Sequence, residues 1–254
     1  MTGVWLAALS GLIAAATLLL GAAIAWFVDI PQRAVAGILA LGAGVLIATV
    51  AFELVDQAVS DGGVGPTAGG LLVGALLYIV ADWLVSRPSQ PATGAPANIV
   101  DRRSTARFAS GTGAAIAIGA LIDGIPESIV MGLAVLHGGG ISIPIVVAVA
   151  ISNFPEGLGS TAALKRGGSS ARRVALLWCG IALITVVATL LGYLAFQPAS
   201  DAFIAFVIAI AAGGLLAMIC NTMIPEAFEK QRTLTGLWAT LGFLAAFLLH
   251  EVAG

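Results

Sequence analysis

Eight apolar stretches, each at least 20 residues long, follow one another along this 254-residue chain with little between them. They fall near 3–27, 34–58, 64–86, 108–136, 141–164, 174–197, 202–224 and 233–252. A hydrocarbon core about 30 Å thick takes roughly 20 apolar residues per helical crossing, so each stretch has the length of one transmembrane helix. The runs are continuous and rich in Leu, Ala and Gly, without the period-two alternation of a membrane β-barrel. With 9% charged residues and a mean hydropathy of +1.06, an ordinary soluble domain is excluded. The expected fold is an all-α polytopic membrane protein whose main partner is the lipid bilayer. The first stretch lacks a basic n-region and is too long for a signal peptide, so it is read as a true helix.

Charge placement orients the helices. Arg33 lies between stretches one and two, and Arg87, Arg102, Arg103 and Arg107 lie between three and four. Lys165, Arg166, Arg172 and Arg173 lie between five and six, and Lys230 and Arg232 between seven and eight. All eleven Lys and Arg residues are then on one side. The opposite side carries Asp56, Asp61, His137, Asp201 and Glu251. The positive-inside rule makes the basic connections cytoplasmic and both termini extracytoplasmic, as in a multi-pass cell-membrane protein. The organisation read from this is helices 1–3 over residues 1–86, a flexible Pro- and Ala-rich cytoplasmic linker over 87–107, and helices 4–8 over 108–254, as a single membrane domain.

Within the apolar stretches, LIDGIPESIVMG and ISNFPEGLGS place acids near mid-helix. A carboxylate there costs roughly 2.5–3.5 kcal/mol on insertion scales. Asp123 and Glu127 are four apart and Asn153 and Glu156 three apart, so each pair shares a helix face. Pro126 and Pro155 free the carbonyls of Ile122 and Ile151 one turn earlier. Carboxylates beside freed carbonyls form an oxygen-rich pocket of the kind divalent cations prefer. CNTMIPEAFE repeats the pattern, with Pro225 freeing the Asn221 carbonyl and Glu226 near the cytoplasmic boundary. Glu53 lies toward the outer end of the second stretch.

No Lys or Arg lies deep in a stretch to pair with these acids, so they are read as cation or proton sites. Asp82, beside Trp83, reads as a hydrated interfacial acid, and His137 and His250 as solvated residues. Cys179 and Cys220 read as small buried packing residues. Gly37, Gly42, Gly44, Gly111, Gly113, Gly119 and Gly124 read as points of close helix approach. There is no HExxH, phosphate loop or nucleophile elbow, so no enzymatic activity, resident cofactor or nucleic-acid partner is expected.

These residues resemble the ZIP family of divalent metal transporters, in particular its GufA-type bacterial branch. The resemblance spans nearly the whole chain and rests on the eight-stretch topology, the long connection after the third stretch, and the PE motifs. It implies a 3+2+3 arrangement, with helices four and five between two groups of three and the metal near the midplane. The fourth-helix family motif HNxPEG is matched by DGIPES, with Asp123 at the His position, Gly124 at the Asn position, and Glu127 retained. SNFPEG places Ser152 and Asn153 at ligand positions and retains Glu156. The implied metal set is Asp123, Glu127, Ser152, Asn153 and Glu156, with Glu53, Asn221 and Glu226 as secondary path residues.

The sixth stretch, CGIALITVVATLLG, lacks the acid the family often has there. Loss of the imidazole favours harder ions such as Mn²⁺, Fe²⁺ or Mg²⁺ over Zn²⁺. The expected function is uptake of a divalent metal (Zn²⁺, Mn²⁺, Fe²⁺ or Cd²⁺) into the cytoplasm, and a homodimer is compatible with it. Three alternatives stay open: a proton-coupled organic-cation antiporter, an intramembrane metalloenzyme, and a degenerate, non-transporting relative. An antiporter for organic cations would ordinarily use aromatic walls, and Phe154 is the only aromatic within the two motifs.

Overall fold

A computed structural model describes residues 2–85 and 113–253, and among them no strand occurs. In a medium without water every backbone N–H and C=O must be satisfied within the segment, which a helix does. Helix α1 is Thr2–Phe27. Helix α2 begins as Gln32–Thr49, passes through a π-helical Val50–Val55 and ends as Asp56–Gly62. Helices α3 (Val64–Val85), α4 (Gly113–Gly138), α5 (Ile143–Arg166) and α6 (Ala171–Leu194) follow. Helix α7 comprises Asp201–Met218, a π-helical Ile219–Met223 and Ile224–Gln231, and α8 is Thr235–Ala253. The expected linker over 87–107 lies outside the described residues.

Among the described residues, seven helical runs are long and apolar enough to cross a membrane, and the last of them, Asp201–Val252, is 52 residues long. A straight helix of that length would extend about 78 Å at 1.5 Å per residue. The run instead turns back at Arg232, which adopts φ 50°. Its two arms pack on α2 in opposite senses. Gln231, at the end of α7, donates to the Arg33 carbonyl at the start of α2 (2.7 Å). Along α8 the order is the reverse: Gly37 approaches Trp238 at the start of α8, and Glu53 meets His250 near its end. Other reversals are abrupt; Gly63, at φ 80°, joins α2 to α3 with no intervening loop.

Glycine sets the close contacts, and it does so reciprocally. A Cβ on Gly21 of α1 would strike the Phe154 carbonyl of α5, and one on Gly157 of α5 would strike the Leu18 carbonyl of α1. The same exchange joins Gly44 of α2 with Gly242 of α8, Gly74 of α3 with Gly213 of α7, and Gly132 of α4 with Gly192 of α6. Lipid tails are as apolar as Leu, so helices associate in a bilayer through such close backbone approach. Gly37 and Gly42 also serve close approach, whereas Gly124 has nothing within 4 Å of a built Cβ. The expectation that Gly124 serves packing is corrected.

Packing beyond these seams gathers the four pairs into two sets. Helix α1 packs on α5 and α6, and α6 on α4; α3 packs on α7, and α2 on α8 and α7. Helices α4 and α5 touch members of both expected triads, but the triads are not packing units, since α1 is fastened to α5 and α6 instead of to α2 and α3. Two side-chain expectations are also corrected. Cys179 and Cys220 are free and exposed on the outside of the bundle, and Asp82 is buried, at 5% exposure.

Gly213→Ala is expected to destabilise the protein by about 1–3 kcal/mol, the usual cost of overpacking. Gly180→Ala, where a Cβ meets nothing within 4 Å, is expected to be neutral or slightly stabilising. Thermal unfolding in detergent reads both.

Candidate functional site

Local sequence fixes where the acids of α5 stand. The Ser142 hydroxyl accepts from Ile145 N–H (3.5 Å), Pro occupies the first turn, and Lys165 and Arg166 close the last. Gly168, at φ 79°, then stops the helix. Glu156 is therefore mid-helix, one residue after Pro155, which the helix accommodates without a break. The Ile151 carbonyl, freed by Pro155, faces Gly42 of α2, where an added Cβ would lie 3.3 Å from it. In α4, Pro126 is likewise contained within the helix, and Ser128 donates to the Gly124 carbonyl (2.6 Å).

Asp123 and Glu127 of α4, Ser152 and Glu156 of α5, and Glu226 of α7 line one cavity of about 70 Å³. Val35 and Leu39 of α2 close one wall, and Met218, Thr222 and Met223 of α7 another. Glu127 is the most enclosed of the acids, at 2% exposure, and it lies 3.3 Å from the Ser152 hydroxyl, whose one proton is shared with the Val149 carbonyl at 3.0 Å. Holding one water takes about 10–15 Å³ of such volume, so the cavity admits a small ion with part of its water shell. It lies between the α1/α4/α5/α6 set and the α2/α3/α7/α8 set, with walls from both.

The remaining sequence-derived residues lie elsewhere. The Asn153 amide is buried on the α1 side, donating from Nδ2 to the Ala14 carbonyl (3.2 Å). Asn221 belongs to the π turn of α7 but is not in the cavity wall; its neighbour Thr222 is, and its hydroxyl bonds the Tyr78 hydroxyl of α3 (2.8 Å). Glu53 is in the π turn of α2, where its Oε1 meets His250 Nδ1 at 2.8 Å and the imidazole stacks on Phe52. His137 approaches Asp61 at 4.0 Å. Both histidines therefore face acids of the second half of α2, so the reading of them as solvated residues is corrected.

Sequence reasoning did not find Met218, Thr222 or Met223. Positions 218, 222 and 226 are spaced by four, which drifts by about 40° per step around an α-helix. The wider π turn at Ile219–Met223 takes up that drift and keeps the three on one face. Among the described residues, no three His, Cys, Asp or Glu side chains stand close enough to hold a metal ion together. The carboxylates share a cavity without forming a closed coordination shell. No protein-family model matches the chain, and no curated protein matches it either.

Asn153→Asp separates two roles for this position. With the side chain turned toward α1, the variant sets a carboxylate oxygen against the Ala14 carbonyl, and a stability loss of about 1–3 kcal/mol is expected. Stronger stabilisation by added Mn²⁺ in a thermal unfolding assay would instead place the side chain at the cavity.

Proposed function

We propose that this protein carries divalent metal cations across a cell membrane, as uptake into the cytoplasm. The observation that carries the reading is the meeting of four acids from three helices, Asp123, Glu127, Glu156 and Glu226, on one small cavity inside an apolar bundle. Carboxylate and hydroxyl oxygens suit hard and borderline divalent ions such as Mn²⁺, Fe²⁺, Zn²⁺ and Cd²⁺. Acids placed inside an apolar bundle mark ion paths in membrane proteins. Asp123, Glu127 and Glu156 attract the ion into the cavity, where it keeps part of its water shell, and Glu226 continues the path along α7. Glu53 with His250 belongs to the outer end of the route. The size of the cavity speaks against an organic cation, because sites for such molecules usually measure about 300–1,000 Å³.

In this reading the 52-residue run counts as two crossings, which gives eight, with both termini outside. The cavity walls come from two packing sets, and movement of one set past the other would expose the ion to each side in turn. A second reading, a non-transporting relative, is favoured by one observation: among the described residues, no three His, Cys, Asp or Glu side chains stand within shared reach of a metal.

Two experiments test this. In proteoliposomes loaded with a chelating dye, influx is expected for at least one of Zn²⁺, Mn²⁺, Fe²⁺, Cd²⁺ and Mg²⁺. Glu127→Gln and Glu156→Gln are each expected to lower it by about tenfold or more, the scale of losing support at a metal site. Unchanged influx in both variants would sink the assignment, and silence of the folded wild type across the panel would select the second reading. For topology, single cysteines are placed in a Cys179→Ala, Cys220→Ala background. Gly140→Cys is expected to react with an impermeant reagent on intact cells, and Ser169→Cys only after permeabilisation.

A further inference from the structure

At the basic end of the bundle a second cavity, of about 510 Å³, opens between the end of α1, the α1–α2 connection and the last turns of α5. It begins where the glycine seam of α1 and α5 ends. Val28, Leu158 and Ala162 contribute apolar wall, while Asp29, Lys165 and Arg166 contribute charge. Lys165 Nζ reaches Asp29 Oδ1 at 3.0 Å, but the Asp29 side chain is 95% exposed. So exposed an ion pair contributes little and yields readily to a better anion. Arg166 makes no ion pair among the described residues. Beside the cavity, Phe27 is 83% exposed and Val28 53% exposed, and the preceding Trp26 packs against the cluster that holds Leu164 and Trp178. Aromatic residues at a helix end are the usual mark of the membrane–water boundary.

The combination is amphipathic in a specific order. Two cations stand at the end of an apolar helix, an exposed apolar surface adjoins them, and the space between far exceeds what a metal ion needs. Basic pockets between transmembrane helices are a recurrent form of anionic-lipid headgroup site. We propose that this cavity binds an anionic membrane phospholipid, its phosphate on Lys165 and Arg166 and its acyl chains along Phe27 and Val28. Charge complementarity selects this occupant, since the lining carries two cations against one exposed acid. Because Leu158, Ala162 and Lys165 share α5 with Glu156, a lipid held here braces the helix that carries a cavity acid. The assignment of a leaflet rests on the orientation proposed above, whereas binding itself does not.

The test is native mass spectrometry of the full chain released from detergent, titrated with phosphatidylglycerol or phosphatidylcholine and challenged with inorganic phosphate. Wild type is expected to retain phosphatidylglycerol over phosphatidylcholine. The double variant Lys165→Gln, Arg166→Gln is expected to lose roughly tenfold or more of that retention, the scale for two basic residues at a lipid surface. Arg172→Gln, Arg173→Gln, the same charge change at the start of α6, is expected to retain it. Asp29→Asn removes the competing acid at an exposed position and is expected to strengthen retention, which tests the site even if the double variant fails to fold. Equal retention of the two lipids, an equal loss in both charge-changed pairs, or displacement by millimolar phosphate would overturn the proposal. Because the readout involves neither metal nor membrane orientation, its failure is distinguishable from failure of the transport reading.

Discussion

Among the described residues, four helix pairs approach reciprocally until backbone meets backbone, and the rest of the architecture follows from that contact. In water, apolar side chains would drive helices together at ordinary separations. In a bilayer the surrounding lipid satisfies those side chains equally well, and what remains is packing at close range. Gly21 with Gly157, Gly44 with Gly242, Gly74 with Gly213 and Gly132 with Gly192 each strip the side chain from both faces of a seam. Because the pairs join α1 to α5, α2 to α8, α3 to α7 and α4 to α6, neighbours in sequence are not the tightest neighbours in space. Further packing of α1 on α6 and of α2 on α7 gathers the pairs into two tightly knit sets with a looser boundary between them.

The carboxylates collect at that boundary. A glycine seam leaves no room for a buried acid, and the lipid-facing surface would leave one unsolvated. The boundary is the one place with both enclosure and space, so Asp123, Glu127 and Glu156 from one set face Glu226 from the other across a small void. The hydroxyls of Ser152 and Thr222 bring polar atoms without adding charge. An ion placed here would touch both sets at once, and its binding would depend on how they sit against each other.

The sequence carried the helices well, because a membrane-length apolar run has few other solutions. It also carried the acids, since Asp123, Glu127, Glu156 and Glu226 stand out against their apolar surroundings whatever the fold. Faces were harder to read. A soluble helix shows its buried side through its polar one, but helices apolar all round show none, and Cys179 and Cys220 were accordingly placed inside when they are outside. Asn153 has the spacing of a cavity residue, yet its amide serves the Ala14 carbonyl, a partner 139 residues away that local spacing cannot supply. Met218 and Thr222 were hidden by a change of helical period inside α7. The pairing of glycines was equally hidden, since each glycine has its meaning only beside a partner from another helix.

The π turns of α2 and α7 bear on ancestry as well as on geometry. A π turn is what a helix makes of one extra residue accommodated without breaking. Past Val55 in α2, and past Met223 in α7, every side chain points about one residue out of phase with the helix before it. Two chains sharing this architecture but differing in whether they carry the turn would align correctly on one half of the helix and slip by one on the other. The gap that restores the match would fall in the middle of an unbroken helix, where a comparison by sequence is least inclined to open one. Helices α2 and α7 are thus the ones in which common descent would be hardest to detect from letters alone, and the turn of α7 lies in the cavity wall itself.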